Sequence, residues 1–227
     1  MAAYPLDVMS LAFIRHGESN VTVQRTIGGF RTCSGLSPLG RSQAERLCDR
    51  LATTGELRTD RLVSSNFPRA RETAEIIAAG VGATDIEVMP GFGEHDPGPE
   101  LDGLSFEGYV ERFGRPNWSG DPHHDVFPGG ETTAAFQLRV GAALSALVRS
   151  MSADDTAVVC CHGGVVDATM RALLRTAPTG AFELRTINTS ITEFASNGGT
   201  NDGIGSTWQL LRYNDAAHLA GLPAATN

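Results

Sequence analysis

The tetrad Arg15-His16-Gly17-Glu18 directly follows the first apolar run of the chain, Val8 to Ile14, whose only polar member is Ser10. A run of strand length ending in Arg-His-Gly sets an imidazole and a guanidinium at the mouth of a buried strand. Open parallel sheets bind their ligands at such strand ends. An imidazole can act as a nucleophile, and an arginine fork matches phosphate oxygens. Taken alone, the tetrad reads equally as a strand-end histidine beside a surface arginine.

Two further groups occupy equivalent addresses. Arg69 falls in the first turn of the helix expected after Ser64-Ser65, and His162 follows the second buried run, Thr156 to Cys161. Each lies at the C-terminal end of an expected parallel strand, so all three converge on one crevice. Helix N-termini there add backbone N–H donors and a dipole that favours anions. Two arginines, two histidines and those amides make a pocket for a tetrahedral dianion. Gly163 and Gly164 allow close approach to a ligand. A Cys161–His162 dyad is disfavoured, because adjacent strand residues point to opposite faces.

The elements needed to position these groups alternate along the chain. Ser37-Pro38 offers an N-cap with proline at the first helical position, and Ala44, Leu47, Cys48 and Leu51 follow at helical spacing up to Gly55. Arg61 to Ser65 reads as a strand, and Ala70, Thr73, Ala74 and Ile77 mark a helix expected to end near Gly80. Ile86 to Met89 reads as a short edge strand. A helical stripe runs through Phe136, Val140, Leu144 and Leu147, with Glu131 favouring its N-terminus by charge. A further helix carries Val166, Met170, Leu173 and Leu174. Ile191 to Phe194 and Trp208 to Tyr213 close the sheet, and the glycines at 198, 199, 203 and 205 read as a hairpin loop. The alternation predicts an α/β fold, a three-layer α/β/α sandwich around a mostly parallel sheet. It also predicts a single domain, 1–227, with a lid-like excursion at about 90–130, since long irregular segments in compact domains are usually functional.

Composition narrows the function. At 41% hydrophobic the chain can build a sizeable core, and a formal charge of −8 argues against a nucleic-acid partner. No stretch is long enough to span a bilayer, and no basic residue precedes the first apolar run, so a cytoplasmic protein with reduced thiols is expected. All 18 basic residues are arginine. Lysine chemistry, whether a phosphate-loop lysine or a Schiff base, is therefore excluded. Asp121, His123, His124 and Asp125 cluster, but without the regular spacing of metal ligands they read as a polar loop. Asn20, Asn117 and Asn188 begin sequons that read as chance matches.

Arg15-His16-Gly17-Glu18-Ser19, Ser64-Ser65 with Arg69-Ala70 and Thr73-Ala74, Glu94 with Gly98, and His162-Gly163-Gly164 occur in this order. Together they resemble the histidine phosphatase superfamily, the phosphoglycerate-mutase-like group, from about Leu11 to about Phe194. The resemblance implies a phosphohistidine on His16, with Arg15 and Arg69 clamping the phosphoryl oxygens and His162 donating to the transferring group. It implies Glu94 as general acid and then as base, with Asp96 or Glu18 as substitutes. Thr22, which stands where the family often carries asparagine, and Gly28, Gly29 and Gly163 would complete the substrate-binding set. It implies no metal and no cofactor, the arginines supplying the positive charge.

The expected activity is phosphomonoester hydrolysis, with a small phosphorylated substrate and inorganic phosphate as product. The alternatives are a phosphoglycerate mutase and a catalytically weak phospho-ligand binding protein. Between Glu94 and Glu131 nine carboxylates face two basic residues, Arg112 and Arg115, which disfavours a second phosphate under that segment. Arg25 and Arg31 remain as candidates for substrate charge.

Overall fold

The computed structural model describes residues 8–180, 182–196 and 204–225. Six strands form one sheet: β1 (Met9–Arg15), β2 (Arg61–Ser64), β3 (Glu87–Val88), β4 (Thr156–Cys161), β5 (Ile191–Ser196) and β6 (Trp208–Asp215), in the order β3-β2-β4-β1-β5-β6. The first four in that order run parallel. β5 and β6 are antiparallel additions. The expected alternation gives way there, and among the described residues no α-helix lies between the last two strands. Of the glycine loop between them, Gly198, Gly199 and Gly203 lie outside the described residues.

The helices are α1 (Asn20–Val23), α2 (Pro38–Thr54), α3 (Pro68–Val81), α4 (Phe106–Phe113), α5 (Thr133–Arg149) and α6 (Gly163–Leu174). Period-two alternation divides the core between the two faces of the sheet. Leu11 and Phe13 of β1 join Val159 and Cys161 against Val140 and Leu144 of α5 and Val166 of α6. Ala12 and Ile14 join Val158 and Cys160 against Leu47 of α2 and Ile77 of α3. The outcome is the expected three-layer sandwich. No helix among the described residues is long and apolar enough to cross a membrane.

Local chemistry sets the ends of these helices. The Ser37 hydroxyl accepts from the Gly40 N–H at 3.0 Å ahead of Pro38, and Gly55 closes α2 at φ +62°. α3 ends at Val81, near Gly80 as expected, and Gly82 caps it at φ +78°. A Cβ at Gly80 would stand 2.6 Å from the Cys48 carbonyl oxygen, so this glycine serves the close crossing of α2 and α3. Glu131 does not sit in the first turn of α5, whose N-cap is Thr132. It stands just before that cap and pairs with Arg139, nearly two turns into the helix.

Register brings the strand ends level. Arg15 pairs with Cys161, and Ser64 with Cys160. The next residues, His16, Ser65 and His162, therefore emerge side by side at one edge of the sheet. The His16 N–H donates to the Cys161 carbonyl at 2.9 Å, and the Ser65 N–H to Cys160 at 3.0 Å.

Candidate active site

His16 is buried and its tautomer is fixed. Nδ1 lies 2.6 Å from its neighbour's carbonyl, Gly17 O, and so carries the proton and donates it there. Nε2 is left with its lone pair, and Arg69 Nε donates to it at 3.1 Å. The same Arg69 N–H is shared with His162 Nδ1 at 3.3 Å, while His162 Nε2 meets the Ser65 hydroxyl at 2.8 Å. The two imidazoles stand edge to face with centroids 5.1 Å apart. Burial, reinforced by the positive charge of Arg69, holds both histidines well below the ordinary imidazole range.

The arginines are aimed by α3 and by the loop before β5. Arg69 lies over the Phe67 ring, 4.7 Å from its centroid, and Nη1 donates to the Gly28 carbonyl at 3.3 Å. Thr73, one turn on, accepts from the Gly17 N–H at 3.1 Å and donates to the Arg69 carbonyl at 2.8 Å, tying α3 to the histidine loop. Arg15 Nη1 donates to the Thr186 carbonyl. Its Nε is buried and makes no hydrogen bond to any described residue. Gly163 lies beside it, so that a Cβ there would stand 3.7 Å from this nitrogen.

Glu94 comes to the same place from the segment after β3. Its Oε2 accepts from the Gly164 N–H at 3.3 Å, at the N-terminus of α6, and its Oε1 from the His95 N–H at 3.0 Å. The alternatives for its role are engaged elsewhere. Asp96 is exposed and caps Gly98 N–H at 2.9 Å, while the buried Glu18 accepts from the Ser37 hydroxyl at 2.8 Å.

Other expected contacts are absent or redirected. The Thr22 hydroxyl pairs with Ser19 at 2.9 Å, not with His16 or Arg69. Gly28 approaches Arg69, but the Gly29 N–H is taken by Asp102 at 2.9 Å. Arg25 pairs with Glu107 at 2.5 Å, and Arg31 donates to the Pro99 and Asp102 carbonyls at 2.5 and 3.1 Å. Both arginines thus fasten the loop after α1 to the acidic segment beyond Glu94. Asp121 and Asp125 accept from backbone N–H groups of their own turns, and no metal-holding group of three or more His, Cys, Asp or Glu occurs among the described residues.

Three residues near the site were not read from the sequence. Asn188, buried, donates to the His16 carbonyl at 2.8 Å; its sequon pattern concealed this use. Arg139 donates to the Gly91, Gly93 and Glu94 carbonyls at 3.0, 3.1 and 3.2 Å. Glu131 holds the same guanidinium at 2.7 and 2.9 Å. The signal available for that pair was an acid and a base eight residues apart across a helix start, a spacing no local rule connects.

This edge of the sheet gathers a neutral imidazole lone pair, two guanidinium groups, a second imidazole and, at the N-terminus of α6, a carboxylate. Residues 11–215 match the model of the histidine phosphatase superfamily (branch 1). The chain is 29% identical to phosphoglycerate mutase-like protein 4 of Arabidopsis thaliana, over 94% of this chain and 88% of that one. It is 27% identical to a probable phosphoglycerate mutase of Cronobacter sakazakii, over 93% and 95%. Among solved structures, a mycobacterial glucosyl-3-phosphoglycerate phosphatase superimposes with a TM-score of 0.72 at 25% identity, covering 91% of this chain and 99% of that one. A phosphoserine phosphatase from Entamoeba histolytica shares the fold, with a TM-score of 0.73 at 24% identity over 93% and 99%.

Proposed function

The chain belongs to the histidine phosphatase superfamily (branch 1), and on that premise we propose that it hydrolyses phosphomonoesters through a phosphohistidine on His16. The observation that carries this reading is the single Arg69 N–H held between His16 Nε2 and His162 Nδ1. Two imidazoles and a guanidinium lie within one phosphate's span, which supports His16 as the nucleophile.

Nε2 of His16 attacks phosphorus; the P–N bond forms as the ester P–O bond breaks, and a proton passes from Glu94 to the leaving oxygen. Water then attacks phosphorus, Glu94 takes its proton, the P–N bond breaks and inorganic phosphate leaves. Arg15 and Arg69 hold the non-bridging oxygens. Once these oxygens take up the Arg69 N–H groups, the phosphate's negative charge offsets that of Arg69, and His162 Nδ1 takes a proton from the entering phosphate monoanion or from solvent and donates it as a hydrogen bond to the phosphoryl group. Phosphoryl transfer needs positioning and charge stabilisation above all, and the arginines supply the charge without a metal. The small phosphorylated substrate is met by the whole chain as a single cytoplasmic domain, with residues 90–130 as its lid.

The mutase reading draws support from the relatives' names. A mutase must hold a second phosphate, and the two arginines of the loop after α1, Arg25 and Arg31, are engaged by Glu107 and by backbone carbonyls, while Arg185 lines the cavity beside Arg15 and Glu94. Phosphate release from p-nitrophenyl phosphate, unaffected by EDTA and abolished in His16→Ala, is the expected result. The trapped phosphoenzyme should be acid-labile and alkali-stable, as a phosphoramidate is. Interconversion of 2- and 3-phosphoglycerate faster than phosphate release would favour the mutase, and phosphate binding without turnover would favour the binder.

A further inference from the structure

Two cavities meet at Glu94, Gly163 and Gly164. One of them, about 510 Å³, is large enough for the body of a small organic ligand. Phe106, Trp118 and Phe127 line it from the segment beyond Glu94, Phe136 from α5, and Phe182 from the loop after α6. Trp118 stands edge-on to Phe127, with centroids 5.6 Å apart, and keeps 44% of its surface exposed. This wall offers aromatic faces to whatever enters.

Its charges point the same way. The one arginine lining this cavity, Arg171, is fully used: Nε pairs with Asp167 at 2.7 Å, and Nη1 and Nη2 donate to the Ala177 and Phe182 carbonyls at 3.1 and 2.9 Å. Its guanidinium also lies on the Phe182 ring, 4.4 Å from the centroid. Glu183 lines the cavity and is exposed, as Glu94 and Asp167 line it. His95, in the same wall, is kept uncharged by burial. With Asp167 and Arg171 offsetting each other, an anionic group would meet the two remaining carboxylates of this cavity, Glu94 and Glu183, while Arg15 and Arg185 line the adjoining one.

We propose that this cavity receives the leaving group of the substrate, and that the leaving group is an uncharged, flat, largely apolar alcohol or phenol. The proposal rests on the phosphatase reading and names the substrate class of that site. Carboxylate-bearing leaving groups such as glycerate are the class it rejects.

The test compares 1-naphthyl phosphate, ethyl phosphate and 3-phosphoglycerate in the full chain, by phosphate release and by calorimetric binding to His16→Ala. Expected is a higher kcat/KM and tighter binding for 1-naphthyl phosphate than for 3-phosphoglycerate. Trp118→Ala should raise KM for 1-naphthyl phosphate about tenfold while ethyl phosphate changes less than about twofold. Glu183→Arg, a surface change, should raise kcat/KM for 3-phosphoglycerate about fivefold at low salt, with the gain lost at high salt. Tighter binding of the naphthyl ester without turnover of any compound would end the phosphatase reading and leave the cavity assignment standing. Preference for 3-phosphoglycerate in either assay would overturn the assignment. So would equal losses for the naphthyl and ethyl esters in a stably folded Trp118→Ala.

Discussion

Arg69 Nε donates to His16 Nε2 at 3.1 Å, so the folded protein already directs a guanidinium at the lone pair that would attack phosphorus. With the Gly17 carbonyl holding the other ring nitrogen as N–H, the imidazole has no route to protonation that does not face a positive charge. The proposed nucleophile is thereby kept neutral.

The same arrangement makes stability depend on pH. Both His16 and His162 have pKa values depressed in the folded state by burial and by Arg69. The unfolded chain binds a proton at each near pH 6.5, whereas the folded chain does not. Their share of stability is therefore complete above about pH 6.5 and is lost as the pH falls below it. The slope is about 1.4 kcal/mol per pH unit for each ring until its folded pKa is reached. Urea unfolding from pH 7.5 to 5.5 should show this decline, to which the likewise depressed His95 and His218 add, and His162→Asn should remove one ring's share of the slope, about 1.4 kcal/mol per pH unit. A flat profile would contradict the assignment.

Arg139 is expected to act through Glu94 by holding three carbonyls of the segment that carries it. Arg139→Gln should lower kcat/KM about tenfold or more for an alkyl phosphate, whose leaving oxygen needs a proton. For 2,4-dinitrophenyl phosphate, whose leaving group needs none, kcat/KM should change little, because this constant reports only the steps through phosphoenzyme formation. Arg139→Lys should restore part of the loss, since an ammonium cannot reproduce the fork. Equal losses on both substrates would show a merely structural role.

Gly164 leaves room for the carboxylate that its N–H holds. A Cβ there would stand 2.3 Å from Glu94 Oε1 and 3.2 Å from Phe136 Cζ. The flexible carboxylate is what would yield. Gly164→Ala should lower kcat on alkyl phosphates about a hundredfold, within the range for a lost general acid, while the melting temperature stays near that of the parent. Unchanged kcat would remove Glu94 from the proton-transfer role.

Asn188→Ala would leave the buried His16 carbonyl without its side-chain donor. The expected cost is about 1–3 kcal/mol of stability, read by urea unfolding. A fall in kcat with little change in KM should accompany it, since the group displaced is the proposed nucleophile. No change in either would reduce Asn188 to a surface-loop contact.

Much of this site was legible because its address is set by short-range rules. Apolar runs ending in Arg15-His16 and Cys161-His162 identify parallel strand ends, and Ser37-Pro38 announces α2 through its own cap. Helix ends were less legible. Gly80 carries the same local signal as Gly82, and only the contact with Cys48 on a neighbouring helix tells a packing glycine from a terminating one.

The identity of the chemistry at the strand ends was thus determined by sequence alone: which side chains exist, in what order, and that arginine is the only cation besides histidine. Tertiary structure decided which of them are spent. Arg25 and Arg31 are consumed by contacts with residues about 70 or more positions away, and Asn188 reaches His16 across 172 positions. Such pairings depend on how separate elements dock, and no periodicity or local motif encodes them. Cavity character follows the same rule, because aromatic side chains from Phe106 to Phe182 form one wall only after the fold has gathered them.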